Sequence, residues 1–354
     1  MSKFLSPRLA ALDAYTPGEQ PRDMQYIKLN TNESPFPPSP LVLEKGSEAE
    51  VSRLNLYPDP EATALKNKLA GLYGLSPENV FVSNGSDDIL NFAFMAFCDK
   101  DHGAAFADIT YGFYPVYGDL YGIDCKVIPL EPDFTLNSWD YHNLNRMVVI
   151  ANPNAPTGLT ISEADIRGIL DSNPDNVVLI DEAYVDFGGQ SVYPLIKEYD
   201  NLLVVQTYSK SRSMAGARLG FAFGCPELIA DLNLIKYSTN PYNINRLTLI
   251  AGEAAIDSND YFVDNSKKII EAREYTAAEL KKLGFTVTDS KANFLFAKSD
   301  KIGGEELYRE LKKRGILVRH FSKERIKDYN RITVGTMEQM EKFVATVAEI
   351  LIDT

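Results

Sequence analysis

Apolar residues fall along this chain in two rhythms. Between residues 79 and 224 short continuous apolar runs recur: Asn79 to Ser83, Gly103 to Phe106, Met147 to Ala151, Val177 to Ile180, Leu202 to Val205 and Leu219 to Phe223. Runs of this length, bounded by polar residues or glycine, are the mark of strands buried on both faces. Helical stretches stand among them, among them Ile89 to Phe97, and another, Thr63 to Tyr73, precedes the first run. That alternation predicts an α/β domain with a mostly parallel mixed sheet flanked by helices. Past Pro226 the rhythm changes. A helical region from Arg246 to Leu283 leads into four runs, Phe285 to Thr288, Asn293 to Phe296, Ile316 to Val318 and Arg331 to Val334, set between helices. This predicts a smaller α+β C-terminal domain. The expected divisions are an N-terminal arm, residues 1–29, a large domain, 30–245, and a small domain, 246–354. The arm holds an amphipathic piece near Pro7 to Tyr15, then Pro17-Gly18 and Pro21. Such a segment is ordered by docking, here onto the small domain or a partner.

At 354 residues the chain is long enough for two domains sharing a site. Its 36 basic and 49 acidic residues leave a net charge of -13, which argues against nucleic acid or an anionic membrane as partner. A local basic pocket for a small anion is compatible with that balance. Cys98, Cys125 and Cys225 are too scattered for a disulfide framework or a zinc pattern, and His102, His142 and His320 lack metal-ligand spacing. No metal is expected. The first residues carry no long apolar core, no run reaches membrane-spanning length, and the cytoplasm is the expected compartment.

The candidate chemistry lies where these runs end. Lys210 follows the run 202–205, and a lysine leaving a buried strand destabilises the fold unless its amine is neutral or bonded. A neutral lysine amine is what Schiff-base chemistry needs. Alone, Lys210 is a turn lysine; Ser209, Ala215-Gly216, Arg218 and Gly220 at their spacings change that reading. Asn84-Gly85-Ser86-Asp87-Asp88 stands between a strand and an apolar helix. The first amides of a helix lack internal partners and favour an anion, although a serine or aspartate there can be a plain N-cap. Asp181 ends the run 177–180, at the edge where parallel sheets hold ligands.

Ser209-Lys210 through Gly220, in the form SK-x4-AG-x-R-x-G, resembles the cofactor-lysine motif of fold-type I aminotransferases, which use pyridoxal phosphate. Further matches follow in family order. Leu29 to Phe36, LNTNESPF, is similar to the substrate-pocket loop of the histidinol-phosphate aminotransferases, and Asn152 to Gly158, NPNAPTG, to their NPNNPTG turn. The resemblance implies that Lys210 carries the cofactor, that Ser209, Arg218 and the turn Gly85-Ser86-Asp87 bind its phosphate, the turn through backbone amides, and that the Asp87 carboxylate points away from it. It implies that Asp181 pairs with the pyridine nitrogen, that Tyr184 donates to the phenolic oxygen, and that Tyr111 stacks on the ring, a contact worth roughly 1 kcal/mol. Tyr57, in Leu56-Tyr57-Pro58-Asp59, would bond the phosphate of a neighbouring subunit, hence a homodimer. Ala155 stands where many relatives have the asparagine that bonds the phenolic oxygen; Asn154 is the nearest replacement, with Asn152 as the alternative. Tyr15, Asn32, Asn293, Arg319 and Arg331 would face the substrate, the two arginines taking its anion.

The implied reaction is amino transfer from L-histidinol phosphate to 2-oxoglutarate, giving L-glutamate, in histidine biosynthesis. An aromatic-amino-acid aminotransferase and a threonine-phosphate decarboxylase share this chassis. A regulatory domain that binds the cofactor without turnover is the reading from another class.

Overall fold

The structure, a computed structural model, describes residues 19–21 and 23–353. The arm before residue 19, including Tyr15, lies outside the described residues. The first strand, β1 (Ile27–Leu29), is followed by seven that make one sheet: β2 (Val80–Ser83), β3 (Ala104–Ala107), β4 (Cys125–Ile128), β5 (Met147–Ala151), β6 (Val178–Asp181), β7 (Leu202–Thr207) and β8 (Gly220–Phe223). Their spatial order is β2-β8-β7-β6-β5-β3-β4. Only β8 runs antiparallel to its neighbours β2 and β7; the other pairings are parallel. The mostly parallel mixed sheet expected from the apolar runs is present.

The runs are continuous because both faces are covered. Leu202 and Val204 of β7 join one core with Val178, Ile180, Val148 and Ile150. Leu203 and Val205 join the opposite core with Leu179, Met147 and Val149. Strand β4 escaped the sequence reading because it is an edge strand: Lys126 and Val127 are exposed, so no buried run marks it.

The smaller sheet contains β9 (Phe285–Val287), β10 (Phe294–Ser299), β11 (Ile316–His320) and β12 (Asn330–Thr333), in the order β1-β11-β12-β10-β9. Here β1 lies parallel to β11 and the remaining pairings are antiparallel. The end of the arm thus docks as a strand on the small sheet, and the LNTNESPF loop issues from that strand. Leu29, Leu295, Ile316, Val318 and Ile332 pack with Ile269 and Leu280 of the helix Asn259–Lys282, and with Phe343 and Val347 of the helix Met337–Asp353.

The helical region expected from residue 246 is two helices that meet at Ser258. The first, Arg246–Asp257, sends Leu249, Ala255 and Ile256 into the large-sheet core beside Leu65 and Leu69. We therefore propose a domain boundary at Ser258 rather than at residue 246. No helix among the described residues is long and apolar enough to cross a membrane.

The two domains are riveted by Arg273. This buried side chain of the helix Asn259–Lys282 donates to the carbonyls of Phe187, at 2.5 Å, and Ala292, at 2.9 Å. It joins the turn after β6 to the loop before β10. Arg273→Ala leaves two buried carbonyls unsatisfied and is expected to lower unfolding stability by about 2–4 kcal/mol, measured as a shift in the urea midpoint at constant m-value.

Candidate active site

The carboxyl ends of β5, β6 and β7 open onto one cavity of about 770 Å³. Asp181, the last residue of β6, is almost wholly buried at its floor. Oδ2 accepts the Tyr114 hydroxyl at 2.7 Å and Oδ1 the Ala183 N–H at 3.1 Å. Burial pushes its carboxyl up to about 6, although both hydrogen bonds and the charge of Lys210 act the other way. Buried carboxylates are stabilised when a cation meets them.

Lys210 lies three residues beyond β7 and lines this cavity, with Nζ 5.7 Å from the Tyr184 ring centroid. The next two residues are anchored elsewhere. Ser211 Oγ donates to Asp186 Oδ2 at 2.5 Å, and the Arg212 guanidinium sits 4.2 Å from the Phe262 ring centroid. Those anchors turn Ser211 and Arg212 away, and Ser209 and Lys210 line the cavity.

At the opposite end the helix Ser86–Phe97 begins without a side-chain cap, after Gly85 at φ +91°. A Cβ on Gly85 would stand 2.7 Å from Arg218 Nη2, and one on Gly220 would stand 2.5 Å from Ser86 N. Only glycines allow the helix start, β8 and Arg218 to converge this closely. Arg218 Nη1 lies 3.4 Å from Ser209 Oγ, and Nη2 lies 3.2 Å from Asp87 Oδ2. Asp87 does not point away, as expected from the resemblance. Its carboxylate turns inward because Arg218 and the Tyr111 hydroxyl, at 2.8 Å, both bond it. The acid held behind the helix start is instead Asp88, bonded by Ser83 Oγ at 2.5 Å and Asn243 Nδ2 at 2.7 Å.

A wider cleft of about 1590 Å³ adjoins, sharing Thr31, Tyr111, Ala155, Tyr184 and Lys210 with the cavity. Arg319 and Arg331 line it. They are register partners on the antiparallel strands β11 and β12. Arg331 Nη2 also donates to the Asn30 carbonyl at 3.1 Å.

Four asparagines expected at the site have partners elsewhere in the chain. Asn154 does not face Lys210: its amide is committed to Ile109 O at 2.9 Å and Thr157 Oγ1 at 3.0 Å. Asn152 accepts from Ile161 N–H at 3.2 Å. Neither borders the lysine cavity, where Pro153 and Ala155 appear instead. Asn293 is fully buried behind the cleft wall and donates to the Asn32 carbonyl at 3.2 Å. Asn32 borders the cleft, but its side chain is engaged by Tyr184 and Thr333. Tyr57 is 78% exposed, stacks on Tyr242 at 4.4 Å between centroids and does not line its own chain's cavity.

Sequence reasoning missed Tyr114, Thr333 and Glu33. The first two act through contacts 67 and 301 residues away, which no local signal announces. Glu33 stands within the LNTNESPF loop and lines the cavity, bonded by Lys28 Nζ at 2.8 Å and Thr31 Oγ1 at 2.9 Å. Among the described residues no cluster of His, Cys, Asp or Glu could hold a metal ion.

Comparison with known proteins adds independent findings. Residues 24–347 match the family described as aminotransferase class I and II. A histidinol-phosphate aminotransferase of Clostridium acetobutylicum is 50% identical over 351 residues, covering 99% of this chain and 100% of that protein. One from Brachyspira hyodysenteriae is 51% identical over 352 residues, covering 99% of each. The solved histidinol-phosphate aminotransferase of Sinorhizobium meliloti, in complex with pyridoxal-5'-phosphate, superposes with a TM-score of 0.86 at 21% identity. The match covers 100% of this chain and 99% of that one. At that identity the likeness establishes the fold.

The buried acid makes a pH prediction. With its carboxyl raised to about 6 against an ordinary 3.8, folded Asp181 binds protons that the unfolded chain has released. Its contribution to stability therefore falls as pH rises from about 4 to 6. For the cofactor-free protein, Asp181→Asn should gain stability relative to the unsubstituted chain by on the order of 2 kcal/mol between pH 4.5 and pH 8. Urea unfolding at the two pH values measures it, and the constant cost of the amide cancels in the difference.

Proposed function

This chain belongs to the aminotransferase class I and II family, and from that premise we propose that it moves the amino group of L-histidinol phosphate to 2-oxoglutarate, giving imidazole-acetol phosphate and L-glutamate. It is a pyridoxal-phosphate-dependent transaminase of fold type I. The observation that carries the substrate is the cross-strand arginine pair beside the lysine cavity. Guanidinium forks suit both substrates, the phosphate in one half-reaction and a carboxylate in the other.

The residues present fit the cofactor. Asp181 is a buried acid without an ion pair among the described residues, suited to a protonated pyridine nitrogen. The uncapped helix start at Ser86, with Ser209 and Arg218, is suited to a phosphate, which would share Arg218 with Asp87. Tyr111 and Ala183, both on the cavity wall, would bracket the ring. When bound, pyridoxal phosphate supplies an aldehyde for the lysine and a ring that takes up the electron pair of the broken Cα–H bond.

The chain's own work is then positional and acid–base. Asp181 keeps the ring nitrogen protonated. Tyr184 donates a proton toward the phenolic oxygen. The Lys210 amine, when free, would carry a proton between the substrate Cα and the cofactor's C4′ carbon. Arg319 and Arg331 hold the substrate anion and so fix which bond at Cα stands over the ring.

The same proposal includes a homodimer in the cytoplasm. Tyr57 is exposed, as are Val51, Leu54 and Leu56 shortly before it in the chain, and a second copy would cover these side chains. Tyr57 would then reach the phosphate end of the partner's cavity.

Side-by-side turnover of histidinol phosphate, phenylalanine and threonine phosphate tests the substrate. Histidinol phosphate should show the highest kcat/KM, with glutamate formed from 2-oxoglutarate. A preference for phenylalanine, or carbon dioxide released from threonine phosphate, would sink the assignment. Lys210→Ala should abolish turnover and the pH-dependent visible band of the bound cofactor; a borohydride-reducible adduct surviving in that variant would contradict the role of this lysine.

A further inference from the structure

Asn32 is buried to 1% exposure and carries a left-handed backbone, φ +55°. Its N–H donates to Thr333 Oγ1 at 3.0 Å, and the Thr333 hydroxyl donates to Asn32 Oδ1 at 2.9 Å. A hydroxyl has one proton, and this one is committed. With the Asn32 N–H donating to the Thr333 hydroxyl oxygen and the hydroxyl proton given to Oδ1, the oxygen end of the amide faces Thr333. The nitrogen therefore faces the Tyr184 hydroxyl, 3.0 Å away. An amide nitrogen only donates, so the tyrosine oxygen accepts. The Tyr184 proton is excluded from that bond and is directed to the cavity shared with Lys210.

A second observation gives this orientation a purpose. On the wall made by Ala151, Pro153, Ala155, Asp181, Ala183 and Tyr184, the side chains of only Asp181 and Tyr184 carry polar atoms. Ala155 offers no donor, and the Asn154 amide is committed to Ile109 and Thr157.

We propose that Thr333 and Asn32 are positioning residues that aim the Tyr184 proton at the phenolic oxygen of the cofactor, supplying for this chain the control that a donor at residue 155 would otherwise share. The proposal rests on the pyridoxal phosphate reading above. Thr333 stands two residues beyond Arg331 on β12, so both side chains leave the same face of one strand. The strand that offers an arginine to the substrate anion also sets the donor on the cofactor.

The test reads the cofactor rather than the reaction. A donor to the phenolic oxygen stabilises its anion, so the proton held between that oxygen and the Lys210 nitrogen leaves at lower pH. Loss of the donor raises the midpoint. The protein reconstituted with pyridoxal phosphate is titrated by its visible absorbance. Thr333→Val keeps the side-chain shape, frees the Asn32 amide to turn, and should raise the midpoint by about one pH unit, the scale of one hydrogen bond to a charged group. Thr333→Ser restores the hydroxyl and should titrate as the unsubstituted protein does. In a Tyr184→Phe background, Thr333→Val should add no further shift. The charged and titratable groups lining the cavity with this hydroxyl are Glu33, Asp87, Tyr111, Asp181, Lys210 and Arg218, and the adjoining cleft adds Asp108, Arg319, His320, Lys323 and Arg331. All are unchanged in these variants.

A Thr333→Val midpoint equal to that of the unsubstituted protein, or a full extra shift in the Tyr184→Phe background, overturns the relay. An unsubstituted protein that takes up pyridoxal phosphate without any pH-dependent visible band overturns the cofactor reading, and the relay with it.

Discussion

A carboxylate placed at the dry end of a parallel sheet is stable only if something positive meets it, and the cavity is organised around that demand. Asp181 receives a tyrosine hydroxyl and a backbone amide, and its carboxyl still sits well above the ordinary range. Two neutral donors do not replace the water removed by burial. A flat cationic ring nitrogen would complete the set, and the same cavity offers an amine near one edge and a guanidinium with a free helix start at another. The three demands describe one ligand: a ring with a proton-bearing nitrogen, an aldehyde and a phosphate.

What the chain revealed before folding follows from where its signals are local. The buried strands were legible because covering both sheet faces requires continuous apolar runs, and Lys210, Asp181, Gly85, Ser86 and Arg218 were legible because they stand where such runs end. The asparagines were not. Asn154 and Asn293 lie in the expected segments, but their amide nitrogens donate to carbonyls and a hydroxyl whose proximity only the folded chain creates. The direction of Asp87 was misjudged for the same reason: Arg218, 131 residues later, decides it. Type and rough place come from sequence; the direction of a side chain comes from long-range partners. Edge strand β4 marks the other limit, since an exposed strand has no buried run to betray it.

The two sheets divide the labour. The large sheet places Asp181, Lys210, Ser209 and Arg218 around one cavity from its strand ends. The small sheet supplies Arg319 and Arg331 as opposed residues on neighbouring strands, and through β1 it also carries the loop bearing Asn32 and Glu33. Net charge of -13 says nothing against this, because the anion is met by a pair of local guanidiniums rather than by the mean field of the protein.

That division raises the question of how the sheets stay in register. Arg273 ties them behind the site, through two buried carbonyls. On the open side Arg325 of the loop between β11 and β12 pairs with Asp108 at 2.9 Å, and Lys323 donates to the Asp108 carbonyl at 2.5 Å. Asp108 follows β3 directly, so these contacts hold the rim of the cleft where the small domain meets the large one. The chain Thr333–Asn32–Tyr184 crosses the same gap at its centre. A displacement of the small sheet therefore reaches the substrate arginines and the Tyr184 hydroxyl together. On the proposed roles, substrate anchoring and the proton at the cofactor oxygen would both depend on one strand, β12, and a change that leaves every large-domain residue in place would still alter the chemistry of Lys210.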